Sequence, residues 1–486
     1  MGIDPTWSGA FELGEALARG ELSSRELLEH QIRRIERLDP GLNAVVTRDL
    51  EGARAAAAAA DAALARGERR GPLHGVAITF KDTLETAGLR TTAGYPPLAS
   101  HVPSADATVV ARLRAAGAIV LGKTNVPLLA GDAQTYNAIF GVTRNPWDAA
   151  RTPGGSSGGA AAALAAGLTP LEVGSDIGGS IRTPCHWCGV YGHKPTHGIV
   201  PLRGHIPGPP GTLAEPDLAV AGPMARTPRD LARALELLAG PLPDRAAGWR
   251  LALPAPRRAR LADWRVAAWL DDPSGPVDPA VRACLQQAVD ALRAAGVHVD
   301  EGARPALSLA QVEERYLQLL FSVLFAGIPP DTFQKLLETA AAPPPGAPEA
   351  LVRAARGGTL RHRDWLSANE AREHVRARMA EFFQEFDLLL MPVNPLPAIP
   401  HDPSEPMLAR RLRIGGAEAS YLELFRWIAL ATLALLPATA APVGRTPEGL
   451  PVGIQIVGPY LEDRSCLELA ARLEEVLGGF VPPPGF

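Results

Sequence analysis

Two serine-containing, glycine-dense loops, about two dozen residues apart, constrain this chain more than any other feature. Residues 154–159 read GGSSGG and residues 176–182 read DIGGSIR. Glycine lets backbone N–H groups crowd around a reacting atom without side-chain obstruction, which is what an oxyanion hole needs. The run between the loops, residues 160–173, is rich in Ala, Leu and Gly, whereas a flexible linker would be polar. The pattern therefore predicts two loops of one buried catalytic site.

Lysine is rare in this chain, and one lysine stands where a base would be useful. The 48 Lys and Arg residues include only four lysines, which are Lys81, Lys123, Lys194 and Lys335. Arginine does not lose its proton in a protein, but a desolvated lysine can, and can then act as a base. Lys81 follows the apolar run 76–80 (VAITF) and precedes Asp82. We expect Lys81 at the mouth of a buried strand; a plain ion pair with Asp82 is the alternative.

Two further motifs match patterns of different chemistry. Residues 117–124 (GAIVLGKT) fit the phosphate-binding pattern G-x-x-x-x-G-K-[ST], but their apolar spacer is typical of a strand and Pro127 would break a following helix. Residues 155–159 (GSSGG) fit the nucleophile elbow G-x-S-x-G, with Ser157 as nucleophile. An elbow needs a strand directly before it, and residues 145–153 are typical of a loop. We therefore favour neither a nucleotide site nor an elbow.

Residues 185–188 (CHWC) are a candidate for redox or metal chemistry, with His193 and His197 nearby. A zinc site normally needs a second ligand pair with its own tight spacing. The CHWC run follows directly on the second serine loop, where small buried residues are expected. We therefore predict no metal site here, and no cofactor.

Composition narrows the function classes. The chain has 486 residues, 47% of them hydrophobic, and can bury a sizeable core. Its net charge of −4 is small and no basic stripe carries interleaved aromatics, so we expect no nucleic-acid partner. Four cysteines in so long a chain indicate no disulfide framework. The N-terminus lacks a leader-like pattern and no apolar run reaches membrane-spanning length, so we expect a cytoplasmic protein without a membrane partner.

Short apolar runs alternate with helical patterns along the chain. Residues 23–26 (SSRE) form a candidate capping box that opens a helix ending near Pro40 and Gly41. Further helices are predicted at 53–64, 280–295 and 466–477. Strands are predicted at 76–80, 118–121, 266–270, 297–299, 388–391 and 453–457. The alternation predicts a layered α/β fold with a central, largely buried sheet.

Together these motifs resemble the amidase signature family. The resemblance covers roughly residues 7–240 and a C-terminal stretch ending near Pro459. It is carried, in family order and spacing, by Lys81 after its strand, GKTN at 122–125, TRNPW at 143–147, GGSSGG at 154–159, DIGGSIR at 176–182 and CGVYGHKPT at 188–196. The resemblance implies one catalytic domain, residues 1–486, in which a central mixed twisted β-sheet is covered by helices on both faces.

Within that domain the resemblance implies a signature core at 1–240, with the remaining α/β layers at 263–304 and 386–486. Residues 305–385 depart most from the family pattern and are helical, interrupted by AAPPPG at 341–346. We interpret this helical variable segment as a wall or lid over the active site, because long irregular loops are often functional. An ordinary helical layer is the alternative. Its aromatic residues at helical spacing, which are more typical of core than of a pocket, are Tyr316, Phe321 and Phe325.

The resemblance assigns the chemistry residue by residue. Ser180 would be the nucleophile, Ser156 the bridging serine that follows a cis peptide in the family, and Lys81 the base. Neutral Lys81 would draw a proton from Ser156, which draws one from Ser180, whose Oγ attacks the amide carbonyl. The pKa of Lys81 must then lie well below its ordinary value, which burial would achieve.

Two sets of residues complete the expected site. The developing oxyanion would be held by the backbone N–H groups of Ile177, Gly178, Gly179 and Ser180. The loop at 128–132 (LLAGD) falls where family members contact the acyl part of the substrate. The resemblance therefore implies Ala130, Gly131 and Ile177 as substrate-binding residues, and their apolar character favours an apolar or aromatic acyl group.

The predicted function is hydrolysis of the C–N bond of small amides through a Ser180 acyl-enzyme, with aryl esters or carbamates (urethanes) as further candidate substrates. The partner is then a small-molecule amide, and the chain a monomer or homodimer. Two alternatives stay open. One is the A subunit of a tRNA-dependent amidotransferase, which releases ammonia from glutamine and needs partner subunits. The other is a catalytically inactive scaffold on the same fold.

Overall fold

The computed structural model describes residues 3–486, so the first two residues of the N-terminal stretch lie outside the described part. Helices make up much of the fold. The helices are α1 (Ala10–Ala18), α2 (Ser24–Leu42), α3 (Leu50–Ala65), α4 (Thr108–Ala115), α5 (Gly158–Ala165), α6 (Arg182–Cys188), α7 (Pro228–Leu238), α8 (Pro279–Ala294), α9 (Leu309–Leu324), α10 (Pro330–Ala341), α11 (Glu349–Gly358), α12 (His362–Glu385), α13 (Glu423–Arg426), α14 (Ala429–Leu433) and α15 (Asp463–Leu477).

Strands lie between these helices. They are β1 (Val45–Arg48), β2 (Ala77–Lys81), β3 (Ile119–Thr124), β4 (Tyr136–Asn137), β5 (Gly141–Val142), β6 (Leu171–Asp176), β7 (Tyr191–Lys194), β8 (Val220–Ala225), β9 (Arg265–Ala268), β10 (His298–Asp300), β11 (Leu388–Pro392), β12 (Arg411–Ile414), β13 (Ala417–Ser420), β14 (Ala438–Arg445) and β15 (Pro451–Val457). Every predicted strand and helix is present, with ends shifted by a few residues. The sequence did not predict β1, β4, β5, β6, β7, β8, β12, β13 or β14.

An eight-stranded mixed sheet organises the molecule, in the order β10-β9-β11-β15-β14-β7-β8-β6. Strands β10, β9 and β11 run parallel, and the remaining neighbours are antiparallel. The sheet thus joins strands from both halves of the chain. The predicted α/β class with a mixed central sheet is confirmed, while the division into core, remaining layers and variable segment stays a proposal.

Helices cover both faces of this sheet because its strands are apolar on both sides. In β11, Leu388 and Leu390 pack into one core with α7, α8 and α15, whereas Leu389 and Met391 pack into a second core with α5, α6 and α9. Successive side chains of a strand point to opposite faces. A strand buried on both faces therefore reads as a continuous apolar run rather than an alternating one.

The capping box predicted at residues 23–26 is present and fixes the start of α2. The Glu26 N–H donates to Ser23 Oγ at 3.1 Å, and the Ser23 N–H donates to Glu26 Oε2 at 2.8 Å. The helix ends at Leu42, slightly beyond the expected stop, with Asn43 in the left-handed region at φ 58°. Pro40 lies in the last turn of this helix, which ends at Leu42.

A small three-stranded sheet, β1-β3-β2, carries Lys81 at its edge. Strand β2 runs parallel to β3, and Lys81 lies opposite Thr124 at the end of the pairing. All five side chains of β2 are buried. The lysine therefore ends a buried strand, as the apolar run 76–80 predicts.

The variable segment, residues 305–385, is helical as predicted and forms α9 to α12. Helix α9 buries Tyr316, Leu317, Leu320 and Phe321 in the second core. Helix α10, in contrast, has no buried residue. No helix within residues 3–486 is both long and apolar enough to cross a membrane.

Candidate active site

Ser156 lies in the loop that leads into α5, pressed against a neighbouring backbone. The Gly155–Ser156 peptide is cis. A Cβ at Gly155 would overlap the carbonyl oxygen of Asp132, so only glycine fits there. Ser156 is 1% exposed. The glycines of GGSSGG thus let this serine loop approach the backbone at Asp132.

Lys81 reaches two serines from the end of β2. Its Nζ lies 2.6 Å from Ser156 Oγ and 2.9 Å from Ser175 Oγ. The side chain is fully buried. Burial disfavours the ammonium form and, although Asp176 and Glu172 partly oppose it, lowers the pKa of Lys81 from 10.5 to about 7. A large fraction of this lysine is therefore neutral at physiological pH and available as a base.

Ser180 stands in the turn after β6, next to this pair. Gly179 adopts φ +82°, a conformation that favours glycine. The Ser157 N–H donates to the Ser180 carbonyl oxygen at 3.1 Å, so the two serine loops are joined by their backbones. Ser180 is 7% exposed and lines a cavity. Its hydroxyl lies outside the hydrogen-bonded set that joins Lys81, Ser156 and Ser175.

A buried ion pair holds the Ser180 turn. The Asp176 carboxylate accepts the N–H groups of Gly179 and Ile181, each at 3.1 Å, and Arg182 Nη2 lies 2.9 Å from Asp176 Oδ1. Burial would raise the pKa of Asp176, but the charge and hydrogen bonds of Arg182 outweigh it, and the pKa lies below its usual range. Asp176 is therefore an anion that caps the turn.

Arg182 is held in turn by segments far away in sequence. Its guanidinium donates to the Gln455 Oε1 at 3.0 Å, to the Thr432 Oγ1 at 2.7 Å and to the Ile428 carbonyl at 3.1 Å. The arginine is 0% exposed. Because a planar guanidinium can satisfy several acceptors at once, one residue ties the Ser180 turn to α14 and β15.

The predicted oxyanion donors divide into two groups. The Gly179 N–H is already bound by Asp176. Within the described part of the chain, the N–H groups of Ile177, Gly178 and Ser180 have no such partner. The Tyr316 hydroxyl donates to the Ile177 carbonyl at 2.9 Å. Since C=O and N–H point in opposite directions across a trans peptide, this bond turns the Gly178 N–H away from α9.

A narrow apolar cavity of about 40 Å³ adjoins Ser180. It contains all three predicted substrate-binding residues, Ala130, Gly131 and Ile177. Its other lining residues are Asp132, Ala133, Gly178, Ser180, Leu320, Phe321, Leu324, Met407, Leu408, Leu422 and Phe425. Helix α9 thus supplies part of the wall of this cavity, while a wall or lid over the active site stays a prediction for the variable segment. The cavity holds a few water molecules at most, so a substrate must displace side chains to enter.

Asp132 is the single charged residue among the cavity-lining residues of the described chain, and it is already paired. Arg410 Nη1 lies 2.6 Å from Asp132 Oδ2, and the Tyr421 hydroxyl donates to Asp132 Oδ1 at 2.7 Å. Arg410 is itself 4% exposed and stacks over the rings of Tyr136 and Tyr421. Arg410 balances the charge of this carboxylate. Because the charge is already paired, the cavity offers an effectively apolar surface to a substrate.

The competing motifs take structural places. Lys123 lies within β3 and its Nζ donates to Thr86 Oγ1 at 2.8 Å and to the Leu84 carbonyl, so no phosphate loop forms. Ser157 is buried at the start of α5, and no strand directly precedes it. Cys185 and Cys188 are buried free thiols whose pKa burial raises. No group of three or more His, Cys, Asp or Glu suited to a metal ion occurs among residues 3–486.

Sequence reasoning missed Ser175, the capping role of Asp176 and the contact made by Tyr316. A polar residue at the end of an apolar strand, directly before DIGGSIR, is a weak indication that could have identified Ser175. The helical spacing predicts Tyr316 in the core, and it is buried, but its hydroxyl also donates to the Ile177 carbonyl in the Ser180 turn. No local pattern could have predicted that contact, because the two residues are 139 positions apart.

Comparison with known proteins agrees with this geometry. The family model named Amidase matches residues 26–467. The A subunit of the glutamyl-tRNA(Gln) amidotransferase of Thermus thermophilus is 35% identical over 504 aligned residues, covering 96% of this chain and 96% of that protein. A bacterial aryl acylamidase of the amidase signature family has a TM-score of 0.80 at 28% identity, over 97% of both chains. The solved 6-aminohexanoate cyclic dimer hydrolase has a TM-score of 0.79 at 28% identity, over 99% of both chains.

Fold and sequence together define an enzyme that acts on C–N bonds. The chain belongs to the amidase signature family.

Proposed function

We propose that this protein hydrolyses small amides with an apolar acyl group, through an acyl-enzyme on Ser180. The observation that carries the proposal is the short contact of 2.6 Å between Lys81 and Ser156, made by a lysine whose pKa burial lowers to about 7. The Ser156 loop is joined to the Ser180 turn by the bond of 3.1 Å from the Ser157 N–H to the Ser180 carbonyl oxygen, so this contact places the base beside the proposed nucleophile. Aryl esters and carbamates with the same acyl character are further candidate substrates.

The reaction starts with two linked proton transfers. Neutral Lys81 takes the Ser156 proton, Ser156 takes the Ser180 proton, and Ser180 Oγ forms a bond to the substrate carbonyl carbon. The oxygen that becomes negative is held by the N–H groups of Ile177, Gly178 and Ser180, each donor being worth on the order of a hundredfold in rate. Ser156 returns a proton to the leaving nitrogen as the C–N bond breaks, and water then hydrolyses the ester.

The pocket supports an apolar acyl group. Side chains from α9, from α13 and from the segment around Leu408 surround the position next to Ser180. Each buried CH₂ of a ligand gains about 0.8 kcal/mol in such surroundings. An acyl chain or ring that displaces Phe321 and Leu324 therefore recovers the cost of opening the cavity through its own burial.

The A subunit of a glutamyl-tRNA(Gln) amidotransferase is the second candidate, because proteins of that name are 35% identical over nearly the whole chain. Glutamine carries an ammonium and a carboxylate, and a buried site must pair both charges. Among the described residues that line the cavity, Asp132 is the charged one, and it is already bound by Arg410 and Tyr421. This pairing favours a neutral, apolar substrate over glutamine.

Release of amine from a defined panel tests the proposal. The panel contains 4-nitroanilides of acetic, butyric and benzoic acids, the corresponding aliphatic amides, an aryl carbamate and glutamine. We expect turnover of the anilides, reduced by about 10³-fold or more in Ser180→Ala. Ser157→Ala is the matched control, because Ser157 Oγ makes one long contact of 3.5 Å and lies off the proton path.

Four outcomes decide between the candidates and between the assigned residue roles. Anilide turnover that Ser180→Ala abolishes supports the proposal. Ammonia release from glutamine alone would favour the amidotransferase reading, and a search for partner chains would follow. No turnover by a folded protein on any member would favour the inactive scaffold. Loss of activity in Ser157→Ala, with Ser180→Ala still active, would contradict the assigned roles. A cytoplasmic location and a monomeric or homodimeric state belong to the same proposal.

A further inference from the structure

A histidine outside the family motifs contacts the site of the base. His205 Nε2 lies 2.9 Å from Ser175 Oγ, and the same oxygen lies 2.9 Å from Lys81 Nζ. Ser175 therefore joins His205 to the lysine that contacts Ser156. The result is a continuous hydrogen-bonded chain of four side chains that ends at the histidine.

The backbone fixes the position of His205 relative to Lys81. The Ile206 N–H donates to the Thr83 carbonyl at 2.8 Å, and the Glu85 N–H donates to the Gly204 carbonyl at 2.9 Å. These bonds fasten the loop on both sides of His205 to the segment that follows Lys81 directly. Since the two loops cannot shift independently, the contact with Ser175 is built into the fold.

The hydroxyl of Ser175 can point in two directions, with different consequences for the base. A neutral lysine has two N–H groups and one lone pair. If Ser175 donates its proton to Lys81, the lone pair is occupied and cannot accept the proton of Ser156. If Ser175 donates to His205 instead, its oxygen only accepts from Lys81, and the lone pair stays directed at Ser156.

The histidine is suited to act as this acceptor. Burial first, and the nearby Lys81 second, lower the pKa of His205 to about 3, so the ring is neutral at working pH. Its Nδ1 is buried and has no hydrogen-bond partner in residues 3–486, so either tautomer leaves Nδ1 unpaired and the contact with Ser175 is the hydrogen bond that the ring makes there. The other charges that act on Lys81 come from Asp176 and Glu172 on β6, and neither bonds Ser175.

We propose that His205 is a positioning residue for the base: its Nε2 accepts the Ser175 hydroxyl, and Ser175 thereby keeps the lone pair of Lys81 directed at Ser156. The proposal rests on the proposed function, because it assumes that Lys81 activates Ser156 and Ser180. His205 itself touches neither the substrate nor the reacting atoms.

Two substitutions of similar size test the proposal. In His205→Gln the amide oxygen can occupy the place of Nε2 and accept from Ser175, whereas the shorter side chain of His205→Asn cannot reach it. The probe is a fluorophosphonate, which reacts with an activated serine whatever the natural substrate is. We expect His205→Asn to react about tenfold more slowly than the parent at the alkaline plateau, corresponding to one lost buried hydrogen bond, and His205→Gln to stay within about threefold.

The pH dependence separates positioning from a merely structural role. In His205→Asn the Ser175 hydroxyl turns to the lone pair of Lys81 and stabilises the neutral amine, which lowers the pKa of the lysine. The acid limb, the part of the pH profile in which the rate of reaction with the fluorophosphonate rises with pH, should therefore move to lower pH. The rate at the alkaline plateau should fall at the same time. His205→Gln should keep the limb of the parent. Thermal unfolding of both variants shows whether they are folded, and the Gln variant serves as the test if Asn fails to fold.

The outcomes distinguish this inference from the proposed function. The inference is supported if His205→Asn reacts slowly and its acid limb is shifted, while His205→Gln has the rate and the acid limb of the parent. Equal rates and limbs in the parent, Asn and Gln would overturn the inference alone, and so would a Gln variant that is folded but as slow as Asn. A folded parent whose Ser180 does not react would overturn the proposed function and this inference together.

Discussion

Protonation of Lys81 should remove amide hydrolysis as the pH falls through neutrality. The lysine is fully buried, and burial lowers its pKa from 10.5 to about 7. Only the neutral amine can accept the proton of Ser156. We therefore expect kcat/KM to rise with pH, with an apparent pKa of about 7, and to level off above it.

The size of the effect follows from the same pKa. Below about pH 7 the neutral fraction falls tenfold with each pH unit, so kcat/KM at pH 5 should be about 100-fold below the plateau. The assay is anilide turnover between pH 5 and pH 9 at constant ionic strength, with thermal unfolding measured at each pH. If kcat/KM rose only near pH 10, or did not vary with pH, the conclusion that burial prepares Lys81 as a base would be refuted.

The buried lysine should also affect stability. Between pH 7 and 10.5 the unfolded chain binds a proton at Lys81 that the folded protein does not. The free energy of unfolding therefore rises with pH over this interval. Below about pH 7 both states bind the proton, and Lys81 contributes no pH dependence. The whole shift corresponds to about 5 kcal/mol, and the part between pH 7 and pH 9 to about 3 kcal/mol. These values describe the difference between the parent and Lys81→Met.

Denaturant unfolding of three proteins measures this difference. The free energy of unfolding of the parent should rise relative to Lys81→Met by about 3 kcal/mol from pH 7 to pH 9. Lys335→Met is the matched control, since Lys335 is an exposed lysine of α10 and its loss should leave the pH dependence unchanged. A difference between parent and Lys81→Met that does not vary with pH would contradict the low pKa of Lys81.

Further predictions concern residues around the catalytic pair. Tyr316→Phe should lower kcat about fivefold with little change in KM, because the Gly178 N–H loses its orientation, and steady-state kinetics measures this. Arg182→Met should destabilise the fold by about 3–5 kcal/mol in denaturant unfolding, since it leaves Asp176 buried and unpaired. Phe321→Ala should lower KM for benzoyl relative to acetyl anilides by enlarging the cavity, and equal KM changes for both would contradict the assigned pocket.

Among residues 3–486, local sequence placed six of the fifteen strands and four of the fifteen α-helices, and it predicted the helical character of residues 305–385. The capping box at 23–26 and the apolar runs at 76–80 and 388–391 depend on neighbours within a few positions, and each gave the expected helix or strand. The strands that sequence reasoning missed, such as β6 and β7, lie in small-residue or motif-rich stretches. There the apolar pattern is too short to distinguish strand from helix.

The pairing of strands was beyond local reasoning. Strand β14 lies between β7 and β15, and β6 pairs with β8 across more than 40 intervening residues. Sheet order depends on which apolar faces pack together, and many arrangements of strands satisfy the same period. The resemblance to a family gave the mixed sheet, but spacing alone did not give its order.

By itself, the sequence determined which side chains are available for chemistry: one lysine after a buried strand and two serines among glycines that let backbones approach closely. Only the tertiary structure decided their protonation and orientation. It buries Lys81, so that desolvation lowers its pKa, binds the Gly179 N–H to Asp176, and brings Tyr316 and His205 to the site from remote segments. The physical reason is that desolvation and hydrogen-bond direction depend on neighbours in space, which a pattern of neighbours along the chain does not specify.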